Sequence, residues 1–124
     1  ETLVNKLIER WFGNLKSLKM NNHAKFIKKL LLLNKKNNFE GYANAYDLFS
    51  KLDGNSTKTV KNIRVPMLYI TGEKDLNSKP SMSKELAKIN NQNYAIIKGA
   101  RHVVQVTHSK QCNFHLINFI KGLE

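Results

Sequence analysis

The fold class follows from residues 63–75, which read IRVPMLYITGEKD. Within them, Val65 to Thr71 is a short and almost wholly apolar run of strand-forming residues, as expected for a strand that is covered on both faces. Pro66 has no N–H to donate to a sheet, so it belongs at the start of this strand. Gly72 then allows the backbone to turn, and the carboxylate of Asp75 follows.

A second strand is predicted at residues 93–98, and it ends in the same way. Gly99-Ala100-Arg101-His102 follows it, so this strand leads to an imidazole. The pattern from Pro80 to Ile89 is helical, with proline in the first turn. Two strands that are joined through a helix should be parallel, as neighbours or near neighbours in one sheet. The predicted order is completed by a helix from Ser109 to Leu123, whose buried side comprises Phe114, Ile117, Ile120 and Leu123.

The first part of the chain is predicted to be helical. Apolar residues recur at helical spacing over residues 2–12, 22–33 and 39–52. A polar run at 34–38 is predicted to be a loop, and Asp53-Gly54-Asn55-Ser56 a turn. We therefore divide the chain into a helical part, residues 1–52, and an α/β segment, residues 53–124.

Two parallel strands and their helices cannot cover both faces of a sheet. We therefore expect the sheet to continue outside these residues or to be completed by a second chain. The chain begins at Glu1, without Met or a signal-peptide pattern, and directly in a helical repeat. These features lead us to expect a fragment or a processed chain.

Composition limits the class of partner and compartment. The 124 residues carry a net charge of +12, but 18 of the basic residues are Lys and 3 are Arg, and they are scattered. Because Arg is the residue preferred for reading bases and phosphates, we expect no nucleic-acid partner. A single cysteine, Cys112, cannot form a disulfide within the chain, which suits the cytoplasm. No apolar run reaches the roughly 18 residues of a membrane span, so no membrane partner is expected.

Asp75 and His102 form the candidate site. In an open parallel sheet, sites form at the carboxyl ends of the strands, and both residues follow such ends. A carboxylate beside an imidazole fixes its tautomer and stabilises the imidazolium, so the imidazole can take a proton from a nucleophile and return it. Taken singly, Asp75 would be a turn residue and His102 a loop histidine. The two strand ends together favour an acid–base pair.

Residues 65–75, Pro80 and Gly99-Ala100-Arg101-His102 resemble the carboxyl-terminal half of the α/β-hydrolase fold. Arg10-Trp11-Phe12, Gly41-Tyr42-Ala43, Phe114 and Phe119 are most similar to enol-lactonases within that fold. The resemblance implies that Asp75 is the acid and His102 the base of a Ser-His-Asp triad. It also implies that residues 1–52 are the remainder of a helical cap and a connecting helix, and that no metal or organic cofactor takes part. Substrate-pocket candidates are Trp11, Phe12, Tyr42 and Tyr46.

The sequence departs from this family in two respects. It contains no Gly-x-Ser-x-Gly motif, and Thr107 and Ser109 stand where such members have an acidic residue and a proline. The nucleophile is expected upstream of this chain, which alone should be inactive. Cys112 lacks the strand-to-helix turn of a nucleophile and is expected to be a small buried apolar residue.

The expected function is hydrolysis of carboxylic esters or enol-lactones by a longer parent enzyme. One alternative is a non-catalytic interaction module that keeps the fold, and a less favoured one is a basic nucleic-acid-binding domain. Arg10 is either a solvated helix charge or, less favoured, a partner for a substrate carboxylate. Two structural expectations follow: the two strands should be parallel, and Asp75 should hydrogen-bond to His102.

Overall fold

A computed structural model describes residues 2–14, 22–51 and 56–124, which form a mixed α/β chain. None of the helices in these ranges has the length and apolar character needed to cross a membrane. The elements in chain order are α1 (Thr2–Phe12), α2 (Asn22–Asn37), α3 (Phe39–Lys51), α4 (Ser56–Lys61), β1 (Leu68–Gly72), α5 (Pro80–Ile89), β2 (Asn93–Ile97), α6 (Val104–Thr107) and α7 (Ser109–Lys121).

The two strands form a parallel sheet, as predicted. Leu68 is opposite Asn93 at one end of the register, and Gly72 is opposite Ile97 at the other. Helix α5 connects the strands and contacts both of them. Its observed bounds are those that the sequence pattern predicts. The parallel pairing places the carboxyl ends of β1 and β2 at the same edge of the sheet.

Both strands are shorter than predicted. β1 begins at Leu68 rather than at Val65, because Pro66 has no N–H and the Met67 N–H donates to Gln92 Oε1 at 2.9 Å instead of to a strand. β2 ends at Ile97 rather than at Lys98. The backbone then turns through Gly99, whose φ of 75° is in the left-handed region that favours glycine.

The prediction of a loop at residues 34–38 is wrong, because α2 continues through Asn37. Only Asn38 separates α2 from α3, and its Oδ1 accepts a hydrogen bond from the Gly41 N–H at 2.9 Å, which caps α3. Ser56 was predicted to be in a turn, but it begins the short helix α4. The rest of that predicted turn, together with Leu52, lies outside the described residues.

Buried apolar side chains in the described ranges form two clusters. Val4, Ile8 and Ala24 join α1 to α2. Ile97, Ala100 and Val104 form the second cluster, with Ile70 packed against them. Cys112 is buried on α7, as expected. The buried apolar clusters of the described ranges are therefore small.

The predicted buried side of α7 is exposed, so that prediction is wrong. Relative exposure is 62% for Phe114, 50% for Ile117, 51% for Ile120 and 53% for Leu123. A sheet of two strands is too narrow to cover the full apolar face of a helix of this length. The α5 residues Met82 and Ile89 are exposed as well. Continuation of the sheet outside these residues, or in a second chain, stays a prediction.

Gly72 permits a close backbone contact at the end of β1. A Cβ placed on residue 72 would lie 2.5 Å from the carbonyl oxygen of Ala100 and closer still to that of Arg101. Both obstacles are backbone atoms, which cannot rotate away. Any side chain at position 72 would therefore separate β1 from the segment that leads to His102.

We predict that Gly72→Ala lowers the free energy of unfolding by about 1–3 kcal/mol, the usual cost of overpacking. Gly122→Ala is the matched control, because a Cβ there would lie at ordinary contact distances, 3.5 Å from the Asn118 oxygen and 3.6 Å from the Phe119 oxygen. Urea unfolding of both variants measures the difference. Equal stabilities would show that the contact at Gly72 is not a constraint.

Candidate functional site

Asp75 and His102 meet at the carboxyl ends of the two strands. His102 Nδ1 lies 2.9 Å from Asp75 Oδ2, although the residues are 27 positions apart in the sequence. The Asp75 side chain is only 3% exposed, whereas that of His102 is 31% exposed. The predicted hydrogen bond between them is present. Their roles in catalysis stay a prediction.

The Asp75 carboxylate is fixed by its own turn. Its Oδ1 accepts hydrogen bonds from the backbone N–H groups of Asn77, at 2.7 Å, and Ser78, at 3.0 Å. Thr71 Oγ1 donates to the Ser78 carbonyl at 2.8 Å and lies 3.4 Å from Asp75 Oδ2. With Oδ1 held by two backbone donors, Oδ2 is oriented towards the imidazole.

The segment before His102 is tied to the turn after β1. The Glu73 N–H donates to the Ile97 carbonyl at 3.0 Å, and the Lys74 N–H donates to the Ala100 carbonyl at 2.8 Å. The Glu73 side chain also takes part, because its Oε2 accepts from the Gly99 N–H at 2.9 Å. These bonds, together with the contact at Gly72, hold the backbone of His102 beside that of Asp75.

The surroundings of Asp75 favour its charged form. Burial by itself raises the pKa of the Asp75 carboxyl, but hydrogen bonds from His102 and from the N–H groups of Ser78 and Asn77 outweigh it, so the pKa lies below its usual value. A charged carboxylate at Nδ1 requires a proton on that nitrogen. Nε2 of a neutral His102 is therefore left with a lone pair that can accept a proton.

Helix α1 lies against the site. The rings of Trp11 and His102 have their centroids 5.7 Å apart and are inclined by 37°. Arg10 Nη2 donates to the Leu76 carbonyl at 2.7 Å, one residue after Asp75. Arg10 is exposed, which agrees with the favoured expectation of a solvated helix charge, and its guanidinium also binds this backbone oxygen. The bond holds α1 close to Asp75.

A cavity of about 550 Å³ opens beside His102. Three predicted pocket residues, Trp11, Tyr42 and Tyr46, line it, whereas Phe12 packs against the α1–α2 cluster instead. Leu7 and Phe49 also line the cavity, and their helical spacing from Trp11 and Tyr46 is the sequence signal that could have identified them. The full lining is Leu7, Trp11, Leu31, Tyr42, Tyr46, Phe49, Asn77, Ser78 and His102.

Tyr42 and Tyr46 form a ring pair in the cavity wall. Their centroids are 4.8 Å apart and the rings are inclined by 36°. Burial, together with a hydrogen bond to Tyr46, raises the pKa of Tyr42 to about 12. The Tyr42 hydroxyl is therefore uncharged at neutral pH and contributes a polar but neutral group to the cavity.

The remaining histidines lie away from the pair. His108 Nδ1 contacts Thr107 Oγ1 at 2.9 Å, His115 packs edge-on against Phe114, and His23 is exposed. In residues 2–14, 22–51 and 56–124, no group of three His, Cys, Asp or Glu side chains is arranged to bind a metal ion.

No protein-family model matches the chain, and a search of curated proteins finds no match.

Asp75→Asn should lower the free energy of unfolding by about 1.5–3 kcal/mol at pH 7, the range for hydrogen bonds to charged groups. Because folding lowers the pKa of Asp75 below 3.8, its stabilising contribution is present above that pH and is lost as the pH falls through the folded-state value. The difference between wild type and variant should therefore shrink in acid. Urea unfolding at a series of pH values measures it.

Asp47→Asn is the control for this prediction. Asp47 pairs with Lys51 on the surface of α3, where the two side chains are 59% and 70% exposed. Removing an exposed pair of this kind changes stability by less than about 1 kcal/mol. If Asp75→Asn has as small an effect as Asp47→Asn, the Asp75–His102 contact does not stabilise the fold.

Proposed function

We propose that this chain is the carboxyl-terminal part of an α/β hydrolase that acts on carboxylic esters or enol-lactones. In this proposal Asp75 is the acid and His102 the base of a Ser-His-Asp triad. The supporting observation is the contact of 2.9 Å between His102 Nδ1 and Asp75 Oδ2 at the ends of adjacent parallel strands. The cavity beside His102, lined by Trp11 and Tyr42, is a second support.

The proposed reaction assigns a separate task to each residue. Asp75 holds the imidazole with Nδ1 protonated and stabilises the imidazolium that forms. His102 Nε2 takes the proton from the serine Oγ as that oxygen attacks the ester carbonyl carbon. The same proton then passes to the leaving alcohol oxygen, and the C–O bond breaks to give an acyl-enzyme. His102 next takes a proton from water as the water oxygen attacks the acyl carbon. That proton passes to the serine Oγ as the acyl–oxygen bond breaks, which releases the carboxylic acid and restores the neutral imidazole.

The serine and the oxyanion donors come from outside these 124 residues. The sequence has no Gly-x-Ser-x-Gly motif, and its serines in turns or at helix starts lack the sharp glycine-flanked turn that activates a nucleophile. Either upstream residues of a longer polypeptide or a second chain would supply the missing groups. The helices of residues 1–52 would then be the end of a cap over the substrate.

A non-catalytic interaction module is the second candidate function. The exposed apolar face of α7, with Phe114, Ile117 and Ile120 each at least half exposed, is the observation that favours it. Under this alternative the fold and the Asp75–His102 contact are kept for stability, and no serine nucleophile completes the site. The two candidate functions therefore predict different results when a polypeptide that contains this chain is assayed for ester hydrolysis.

His102→Ala should reduce kcat/KM for p-nitrophenyl acetate by at least about 10⁴-fold in a polypeptide that also carries the upstream residues, because the triad acts as a unit. His108→Ala is the control. His108 contacts Thr107 and not Asp75, so its loss should change kcat/KM by less than about threefold. Release of p-nitrophenol is the measurement.

The 124-residue chain alone should give no turnover above the buffer rate in the same assay. Equal activity of wild type and His102→Ala would overturn the triad. The absence of activity in every polypeptide that carries the upstream residues would favour the interaction module.

A further inference from the structure

We infer that the cavity beside His102 selects a neutral ester with an apolar or aromatic group and discriminates against an anionic substrate. This inference rests on the proposed function and narrows it, because an acidic lactone would be a poor ligand. It depends on the lining of the cavity and on the position of Arg10.

The described lining residues supply hydrophobic contact but no positive side chain. Leu7, Leu31 and Phe49 are apolar, and Trp11 and Tyr42 present aromatic rings. Of the side chains that the structure describes, no Lys or Arg lines this cavity. A carboxylate that entered would lose water without gaining a cationic partner, which costs far more than the burial of a neutral ester.

Arg10 is the cation that would otherwise serve an acidic substrate. Its guanidinium donates to the Leu76 carbonyl at 2.7 Å, and Arg10 is not one of the residues that line the cavity. The charged carboxylate of Asp75 lies directly behind His102 and further disfavours a second anion. The lack of a cation among the described lining residues and the presence of Asp75 thus act in the same direction.

The net charge of +12 acts in the opposite direction, because it attracts anions to the whole surface. This attraction is long-range, and it is screened over about 8 Å at physiological ionic strength. Desolvation inside the cavity is short-range and is not removed by salt. Measurements at low and high salt therefore separate general attraction from selection by the cavity.

Trp11 provides a direct readout, because it is the single tryptophan of the chain and lines the cavity. We would titrate the 124-residue protein with methyl phenylacetate and with phenylacetate, which differ in charge but share the same ring, and follow Trp11 fluorescence. The titrations are run at pH 8, where imidazoles are ordinarily neutral. The ester should bind at least about tenfold more tightly, and the ratio should persist at high salt. Equal affinities, tighter binding of phenylacetate, or no response to either compound would overturn the inference.

A pair of charge variants tests whether the cavity itself makes the selection. Phe49→Lys places a cation at the cavity, and Phe26→Lys adds the same charge on α2, away from the described lining. Both positions are exposed, at 68% and 61%, so both variants should fold. Phe49→Lys should strengthen phenylacetate binding by about threefold or more relative to Phe26→Lys, as an exposed ion pair does. Equal effects of the two variants would overturn the inference, because a charge at the cavity would then matter no more than a charge elsewhere on the surface.

The binding and hydrolysis experiments together distinguish a failure of this inference from a failure of the proposed function. If the ester preference is absent but His102→Ala abolishes hydrolysis in the longer polypeptide, the triad stands and the selectivity is wrong. If the preference is present but His102→Ala leaves hydrolysis unchanged, the cavity binds neutral ligands without the proposed chemistry.

Discussion

The approach of the Ala100–Arg101 backbone to Gly72 is the contact on which the candidate site depends. Parallel pairing of β1 with β2 brings the two strand ends to one edge of the sheet, but that alone places Asp75 and His102 only in the same region. The absence of a side chain at Gly72 lets the second segment lie directly on the first. The bond from the Lys74 N–H to the Ala100 carbonyl then fixes their relative position. A hydrogen bond of 2.9 Å between the side chains follows from these backbone contacts.

Features encoded by local sequence could be predicted, and those set by distant contacts could not. The bounds of α5 follow from Pro80 and from helical spacing within the same ten residues, and the turns at Gly72 and Gly99 made the pairing of Asp75 with His102 predictable. The start of β1 depends instead on the Gln92 side chain, which binds the Met67 N–H from 25 positions away. The end of α2 was misplaced because Lys and Asn occur in loops and are also tolerated in helices; the cap formed by Asn38 determines where α3 begins.

Apolar periodicity predicts which face of a helix requires cover, but not whether the cover is present. The pattern of α7 correctly groups Phe114, Ile117 and Ile120 on one side, yet two strands leave that side exposed. The same reasoning applies to Phe49, which is 68% exposed and nevertheless lines the cavity. An exposed apolar residue here therefore has two possible explanations, a missing structural partner or a ligand surface. The neighbouring groups distinguish the two explanations. Phe49 lines the cavity that contains the His102 imidazole, which indicates a ligand surface, whereas the exposed α7 residues do not line that cavity.

Under the proposed function, proton transfer and substrate selection arise from different parts of the chain. The strand ends supply Asp75 and His102, whereas the helices of the first part supply most of the cavity wall. Arg10 links the two parts through the Leu76 carbonyl, one residue after Asp75. This bond holds α1 where Trp11 can lie against His102, and Arg10 itself is not one of the residues that line the cavity. Helix α1 thus contributes the Trp11 ring, but not the Arg10 cation, to the described cavity lining.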